Sequence, residues 1–389
     1  MKVSAGNLAE RGIVEALCRR RLASVPVLAS ELNIPTSTAG NVLTRLVSKG
    51  LVGRTESTTS GPGRPSYLYS LRLPQPILTL YFDGTHFASA IVADDLSVLA
   101  EHSIQVSAIA SASEAAAMAK EAFFTLLGKT TVSLKEIKHA AFVINAILSS
   151  DGILSSSVLP WAEKDLLSRL DRELGLKTRM VASPQCVAEY QLLSEPAPQS
   201  LVCLNVGDGI SGHSMIAGQL ARGATGRAGE LGHITIDPKG PRCGCGRSGC
   251  LESLYSGPAI AKQVKRLSRT PSATRWMKNV ATLSPRSIIE QLYQAWCAGD
   301  PAARTLMDDV LDRLGWALGL IYNMQDPDLV VCSGYVLLGH SAWIDEISAR
   351  SRKWILHADR RELAVASGRA NTRDHLRVIA SQFHALDAQ

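Results

Sequence analysis

The chain has 389 residues, 46% of them hydrophobic, so it is too long for one core and apolar enough to bury several at roughly 100–200 residues per domain. Its longest apolar runs, Pro76 to Leu80 and Leu329 to Cys332, stop well short of the ~20 residues a bilayer requires, and Met1 to Asn7 lacks the apolar stretch and cleavage site of a secretory signal. These features exclude a membrane-spanning or exported class and predict a cytoplasmic protein. The net charge of +6 is unevenly placed. Up to Leu73, Lys2, Arg11, Arg19, Arg20, Arg21, Arg45, Lys49, Arg54, Arg64 and Arg72 face only Glu10, Glu15, Glu31 and Glu56, an excess equal to that of the whole chain. A basic front on a near-neutral body predicts a polyanionic partner for the front alone.

Leu8, Val14, Leu17 and Cys18 recur at helical spacing before Arg19-Arg20-Arg21, whose cations suit a helix C-terminus. Ser24 is placed to cap a second helix from Val25 to Leu32, with Pro26 in its first turn. Asn33-Ile34-Pro35 then turns the chain, and Thr36 or Ser37 caps a third helix that runs to Lys49 and stops at Gly50. On this helix Ala39, Val42, Leu43 and Leu46 face inward, leaving Ser37, Thr38, Gly40, Asn41, Thr44 and Arg45 outside.

That outer face suits a recognition helix in the major groove, where Asn pairs with adenine and Arg with guanine for ~1–3 kcal/mol of discrimination each. By itself it is equally a solvated face of an ordinary helical bundle. The next stretch favours DNA: Leu51 to Arg54, Thr55 to Gly63 and Arg64 to Leu71 read as strand, loop and strand, a winged hairpin. Its tip, Gly61-Pro62-Gly63-Arg64-Pro65, holds Arg64 on a slim backbone that fits a narrow minor groove. The candidate DNA contacts are therefore Ser37, Thr38, Asn41, Thr44, Arg45 and Arg64.

The body begins with strands around Leu78 to Phe82, Phe87 to Val92 and Ser97 to Val106, separated by turns at Asp83-Gly84-Thr85 and Asp94-Asp95. A weaker copy begins at Leu201: a strand through Val206, a turn over Gly207 to Gly212, a strand from His213 to Ile216 and a hairpin turn at Ala217-Gly218. Strand, glycine turn and strand at the heads of two α/β segments predict a duplicated fold with a cleft between its lobes. Near the end, Asn323 to Gly334 reads as helix, turn and buried strand.

Of the eight cysteines, Cys18, Cys186, Cys203, Cys297 and Cys332 sit among apolar neighbours and read as buried, reduced thiols. The other three crowd into Cys243, Cys245 and Cys250. The run Gly226-Arg227-Ala228-Gly229-Glu230-Leu231-Gly232-His233, followed by Cys243-Gly244-Cys245-Gly246-Arg247-Ser248-Gly249-Cys250-Leu251-Glu252, resembles the signature of the ROK family (repressor, open reading frame, kinase). With the winged helix in front, the resemblance spans nearly the whole chain and points to the repressor branch, which includes regulators of glucose, N-acetylglucosamine and xylose use.

The metal reading also stands on chemistry: one imidazole (His233) and three thiolates (Cys243, Cys245, Cys250) form the soft tetrahedral set that Zn²⁺ prefers in closed structural sites. Such sites bind with ~10–16 kcal/mol in small peptides, so one structural zinc per chain is expected to be part of folding.

The resemblance implies an α/β protein with a winged helix-turn-helix at 1–73, then a two-lobed actin-like, ribonuclease-H-like ROK domain. Its N-terminal lobe is expected at 74–195. The C-terminal lobe, at 196–389, is expected to carry the zinc loop and an oligomerisation surface, its last helix able to pack back on the first lobe. The resemblance further implies that Glu230, His233 and Glu252 border a sugar pocket. Ser156 and Ser157 stand near Pro160-Trp161, where the family places a sugar-contacting Asn. Glu230 and Glu252 also read as plain helix-terminal carboxylates.

The family pattern fails where kinases need it. Pro184, after the strand Lys177 to Val181, stands where the family's general-base Asp belongs, and its side chain accepts no proton. The first phosphate loop, Tyr81-Phe82-Asp83-Gly84-Thr85, loses a carboxylate and a glycine, and Asp208 brings negative charge to the second. No kinase activity is expected. The leading expectation is a homodimeric or homotetrameric regulator of carbohydrate-related genes, a repressor on an inverted-repeat operator, with a sugar, a sugar phosphate, a less polar molecule or nothing as effector. The alternatives are a sugar kinase fused to a DNA-binding domain and a zinc-responsive regulator.

Overall fold

The computed structural model describes residues 5–20, 22–56, 67–72, 75–82, 86–106, 109, 111–144, 147–149, 152–155, 165–182, 198, 200–216, 219–221, 223–225, 227–271 and 273–368. The wing tip with Arg64, the Asp83-Gly84-Thr85 turn, Ser156 and Ser157, Pro184 to Cys186, the Ala217-Gly218 turn and the expected last helix lie outside the described residues. Two compact units divide the chain at Ala197/Pro198.

The first unit opens with three helices, α1 (Ala5–Arg20), α2 (Val25–Glu31) and α3 (Thr36–Ser48). Their apolar positions recur at helical spacing, so Ile13 and Leu17 of α1, Leu28 of α2 and Leu43 and Leu46 of α3 meet in one core with Val52, Tyr69 and Leu71. Ala39, Val42, Leu43 and Leu46 are all buried, as their spacing predicts. A three-stranded antiparallel sheet completes this front segment: β1 (Ala23–Ser24) and β2 (Val52–Glu56) flank β3 (Tyr67–Leu71).

Two expected caps are absent. Ser24 stands at the N-cap of α2 with an extended backbone that pairs with Leu68 in the sheet, but its side chain makes no cap bond. Thr36 already lies inside α3, the residue before it is Pro35, and no side chain caps that end. The stop at Gly50 is as read, with a left-handed φ of 71° that favours glycine.

The remainder of this unit is a five-stranded sheet of order β10-β7-β4-β5-β6, built from β4 (Ile77–Phe82), β5 (His86–Val92), β6 (Val98–Gln105), β7 (His139–Ile144) and β10 (Lys177–Ala182). A short hairpin of β8 (Ile147–Ser149) and β9 (Gly152–Ser155) lies between β7 and β10 in the chain. The helices α4 (Ala112–Leu127) and α5 (Leu166–Leu174) share a core with Leu78, Leu80 and Phe82, while Ile77, Val92, Ala141 and Val143 form a second cluster. Both faces of the sheet are therefore apolar, as parallel strands buried on two sides require. Arg72 ties the front segment to this sheet through a 2.7 Å ion pair with Asp94.

The second unit repeats the sheet: β11 (Ser200–Val206), β12 (Ile210–Ile216), β13 (Gln219–Leu220), β14 (Leu329–Ser333) and β15 (Val365–Ser367) in order β13-β12-β11-β14-β15. In each sheet three antiparallel neighbours, β4-β5-β6 and β11-β12-β13, are extended by two parallel strands, so the duplication read from the sequence is present strand for strand. The glycine turn is narrower than expected, since Ile210 to Gly212 already pair with β11 and only Gly207 to Gly209 turn the chain.

Five helices follow in this unit: α6 (Leu251–Tyr255), α7 (Gly257–Leu267), α8 (Pro285–Cys297), α9 (Pro301–Gln325) and α10 (Ser341–Ser351). Val202, Leu204, Val206 and Val330 pack against Leu311, Leu314 and Leu318 of α9. Cys203 and Cys332 are buried as read, their thiols pushed up by burial to about 11 and about 12. Cys297 is instead exposed at the end of α8. Among the described residues no helix is long and apolar enough to cross a membrane.

Candidate metal centre and nucleic-acid interface

The chain reaches the metal cluster through close backbone contacts. After β13 it returns beside β12, where Gly212 N–H donates to the Gly229 carbonyl at 2.8 Å. A Cβ on Gly232 would overlap the Ile210 carbonyl oxygen, so only glycine lets the Leu231–His233 turn sit so near the strand. Isolated bridges Thr235 to Cys250 and Arg242 to Ser248 fold the loop back on itself. Gly249, at φ 68°, lies against the Asp237 carbonyl with no room for a side chain.

This folding brings His233, Cys243, Cys245 and Cys250 together, their ligand atoms all within 4.8 Å of one another. Cys243 Sγ is 3.6 Å from His233 Nδ1, and Cys245 Sγ is 3.6 Å from Cys250 Sγ. Tetrahedral bonds of about 2.3 Å to sulfur and 2.0 Å to nitrogen give ligand separations of about 3.8 Å and 3.6 Å. The spacing and donor chemistry fit a single cation with four protein ligands. Burial pushes the Cys243 thiol up to about 12. Desolvation opposes ionisation of Cys245 as well, but hydrogen bonds from Arg247 and the neighbouring thiols outweigh it and draw that thiol to about 6.

Two carboxylates flank the imidazole. Glu230 Oε2 is 3.6 Å from His233 Nε2, and Glu252 Oε1 is 4.0 Å from Nδ1. Glu252 Oε2 also accepts the Ile210 backbone N–H at 3.0 Å. Burial raises the Glu230 carboxyl above its ordinary range against the opposing pull of His233. Glu230, His233 and Glu252 thus come together, while Ser156 and Ser157 lie outside the described residues.

At the front, Ser37, Asn41, Thr44 and Arg45 are exposed on α3 and Thr38 is half-buried. Thr44 Oγ1 donates to the Gly40 carbonyl at 2.9 Å, so its hydroxyl proton is turned back on its own helix. Arg45 and Lys49 both reach Glu10 of α1 at 2.9 Å. Sequence reasoning missed this clamp because it weighed Glu10 only as a charge. The available signal was the spacing of two cations on the flank of α3. The Arg54 guanidinium also lies 4.4 Å from the centre of the Tyr67 ring on the paired strands β2 and β3, a contact visible only once the register is known.

Between β11 and β12, Asp208 accepts a 2.8 Å hydrogen bond from the Tyr335 hydroxyl. Gly257 lies so close to that hydroxyl that a Cβ there would overlap it, and its N–H donates to the Gly207 carbonyl at 2.8 Å. Tyr335, which sequence reasoning also missed, thus fastens the turn that resembles a second phosphate loop.

Two sheets of matching strand order, each beginning with an antiparallel strand pair, define an actin-like α/β protein carrying a Cys/His loop. The family model described as the ROK family matches residues 79–376, and the chain belongs to that family. Glucokinase from Streptomyces coelicolor is 25% identical over 293 residues, covering 72% of this chain and 88% of its own. The xylose repressor of Caldicellulosiruptor bescii is 33% identical over 133 residues, 34% of this chain and 32% of the repressor. A solved ROK family transcriptional regulator, described as a homolog of the E. coli MLC protein, is 20% identical with a TM-score of 0.75 over 98% of this chain and 97% of its own.

Proposed function

We propose that this chain is a cytoplasmic DNA-binding transcription regulator, a repressor of carbohydrate-related genes, whose ROK body binds and relays without phosphorylating. The observation that carries this reading is the front segment: a basic unit of three helices and three strands, set ahead of the family match, that exposes Ser37, Asn41 and Arg45 on its third helix. We read it as a winged helix-turn-helix over 1–73, followed by lobes at 74–195 and 196–389. The shared fold with the ROK transcriptional regulator extends over this front segment, which supports the assignment. The partial identity to a xylose repressor agrees with it.

Ser37, Thr38, Asn41, Thr44 and Arg45 would face the major groove and Arg64 the minor groove, with a homodimer or homotetramer matching an inverted repeat. His233, Cys243, Cys245 and Cys250 would hold one structural Zn²⁺, which supplies a closed cross-link between the His233 turn and the cysteine loop. Glu230, His233 and Glu252, with Ser156 and Ser157, would contact a sugar or sugar-phosphate effector. Such an effector biases one arrangement of the regulator over another by a typical ~1–3 kcal/mol.

Titration of the full chain against the promoter nearest its own gene tests the reading. A sequence-selective shift that weakens steeply with salt is expected, because phosphate contacts release counterions. Indifference to every duplex sequence would sink it. The similarity to a glucokinase over 72% of the chain favours a second reading, a sugar kinase with a DNA-binding head. Against it stand Pro184, with no proton acceptor, and Asp208, whose carboxylate is bonded to Tyr335. A coupled ADP-release assay across hexoses and amino sugars decides between them, and turnover would establish the kinase.

A further inference from the structure

Glu10 is the one point at which α1 addresses the cations of α3 among the described side chains. Its side chain is only 14% exposed, with Oε2 accepting from Arg45 at 2.9 Å and Oε1 from Lys49 at 2.9 Å. Arg45 Nε also donates to Oε2 at 3.1 Å, so the guanidinium is held by two of its donors. Arg45 and Lys49 are one helical turn apart and directly follow the exposed Asn41 and Thr44, on the same helix that would enter the groove.

We propose that Glu10 is an electrostatic brake on the recognition helix. By holding Arg45 and Lys49 on one carboxylate, it withdraws one unit of positive charge from the surface that meets DNA phosphates and suppresses binding to arbitrary sequence. The inference rests on the DNA-binding reading above. Non-specific affinity grows with the number of phosphates a protein neutralises, and a cation already paired must break that pair before it counts. Discrimination between sequences rests on base contacts such as those open to Asn41, which Glu10 does not touch. The brake therefore widens the interval between right and wrong sequences. Burial works against the charge on Glu10, but Lys49 and Arg45 outweigh it and hold the carboxyl below its usual range, so the clamp stays ionised at neutral pH.

The test uses the full chain as wild type, Glu10→Gln, Lys49→Ala and the double variant. Fluorescence anisotropy across a salt series compares the native promoter duplex with a scrambled duplex of equal length. Glu10→Gln should bind the scrambled duplex about tenfold tighter at low salt, with a log–log salt slope steeper by about 0.9, one additional counterion released. Promoter binding should change by less than about threefold, so the specificity ratio falls. Lys49→Ala, at the clamped cation not assigned a base contact, should cost less than about twofold on the scrambled duplex in the wild-type background and most of the gain in the Glu10→Gln background.

Melting curves establish that the front segment remains folded. If Glu10→Gln loosens it, Glu10→Asp serves instead: its shorter carboxylate cannot span both cations and should give an intermediate gain. An unchanged slope, or weaker binding to both duplexes by a folded variant, overturns the brake while leaving DNA binding intact. A wild-type chain that binds no duplex overturns the DNA reading, and the brake with it.

Discussion

Glu230 and His233 meet at 3.6 Å between Oε2 and Nε2, while the other ring nitrogen faces the Cys243 sulfur. In the zinc-bound site proposed above, a carboxylate on the far side of the His233 ring would orient that ligand. On that reading Glu230 would serve the metal centre as well as an effector pocket. Glu230→Gln should weaken Zn²⁺ retention by about 10–100-fold in competition with a chromophoric chelator, since loss of such a partner typically costs that much. Cys250→Ser, which removes a ligand, should lose the metal outright. Equal retention by Glu230→Gln and wild type would confine Glu230 to the effector.

The cysteine loop makes a second prediction through its glycines. Gly249 has a left-handed φ of 68° and its Cβ position overlaps the Asp237 carbonyl, whereas a Cβ on Gly244 would meet nothing within 4 Å. Gly249→Ala should cost more than ~3 kcal/mol or leave the chain insoluble, and Gly244→Ala should stay within ~1 kcal/mol. Chemical denaturation of both variants, with metal content measured alongside, separates them. Similar stabilities would mean that the loop relaxes freely and does not hold the ligands in place.

These glycines also mark what the sequence could and could not convey. The strand pair at the head of each sheet was legible because Leu78, Leu80 and Phe82, like Val202, Leu204 and Val206, carry the apolar period and a glycine turn follows. The Cys/His cluster was legible because three thiols crowd within eight positions of one another and few reasons other than metal binding place them so. Ser24 was placed correctly at the N-cap of α2, but its side chain makes no cap bond, a detail of rotamer that the residue type alone does not fix. Glu10 and Tyr335 were invisible for a deeper reason. Each acts through a partner far along the chain, Arg45 and Asp208, and local period carries no information about such pairs.

His213 gives the chain a stability that depends on pH. It sits on β12 with Nδ1 buried and without a hydrogen-bond partner among the described residues, and burial draws its pKa down to about 4. The unfolded chain, at an ordinary value near 6.5, binds the proton that the folded chain refuses, so stability falls as pH drops from about 6.5 toward about 4. The loss through this one residue is on the order of 3 kcal/mol across that window. His213→Gln should flatten the pH dependence of the denaturation midpoint between those limits while leaving stability at pH 8 within ~1 kcal/mol. A midpoint that falls as steeply in the variant as in wild type would assign the acid sensitivity elsewhere.

Asn41 carries the sharpest prediction for sequence reading. It is exposed near the middle of α3, one turn before Arg45, and an amide there presents both a donor and an acceptor to a base edge. Arg45 is held by Glu10 and Thr44 donates to its own helix, so on the proposed DNA-binding reading Asn41 would be the side chain on this face best placed to discriminate bases. Asn41→Ala should cost the promoter duplex ~1–3 kcal/mol and leave the scrambled duplex nearly unaffected, with no change in salt slope, because no phosphate contact is lost. Arg54→Ala, on the wing strand, should do the reverse: it should weaken both duplexes alike and make the slope shallower by about 0.9. Were Asn41→Ala to weaken both duplexes equally, α3 would be gripping the backbone and sequence would have to be read from the wing.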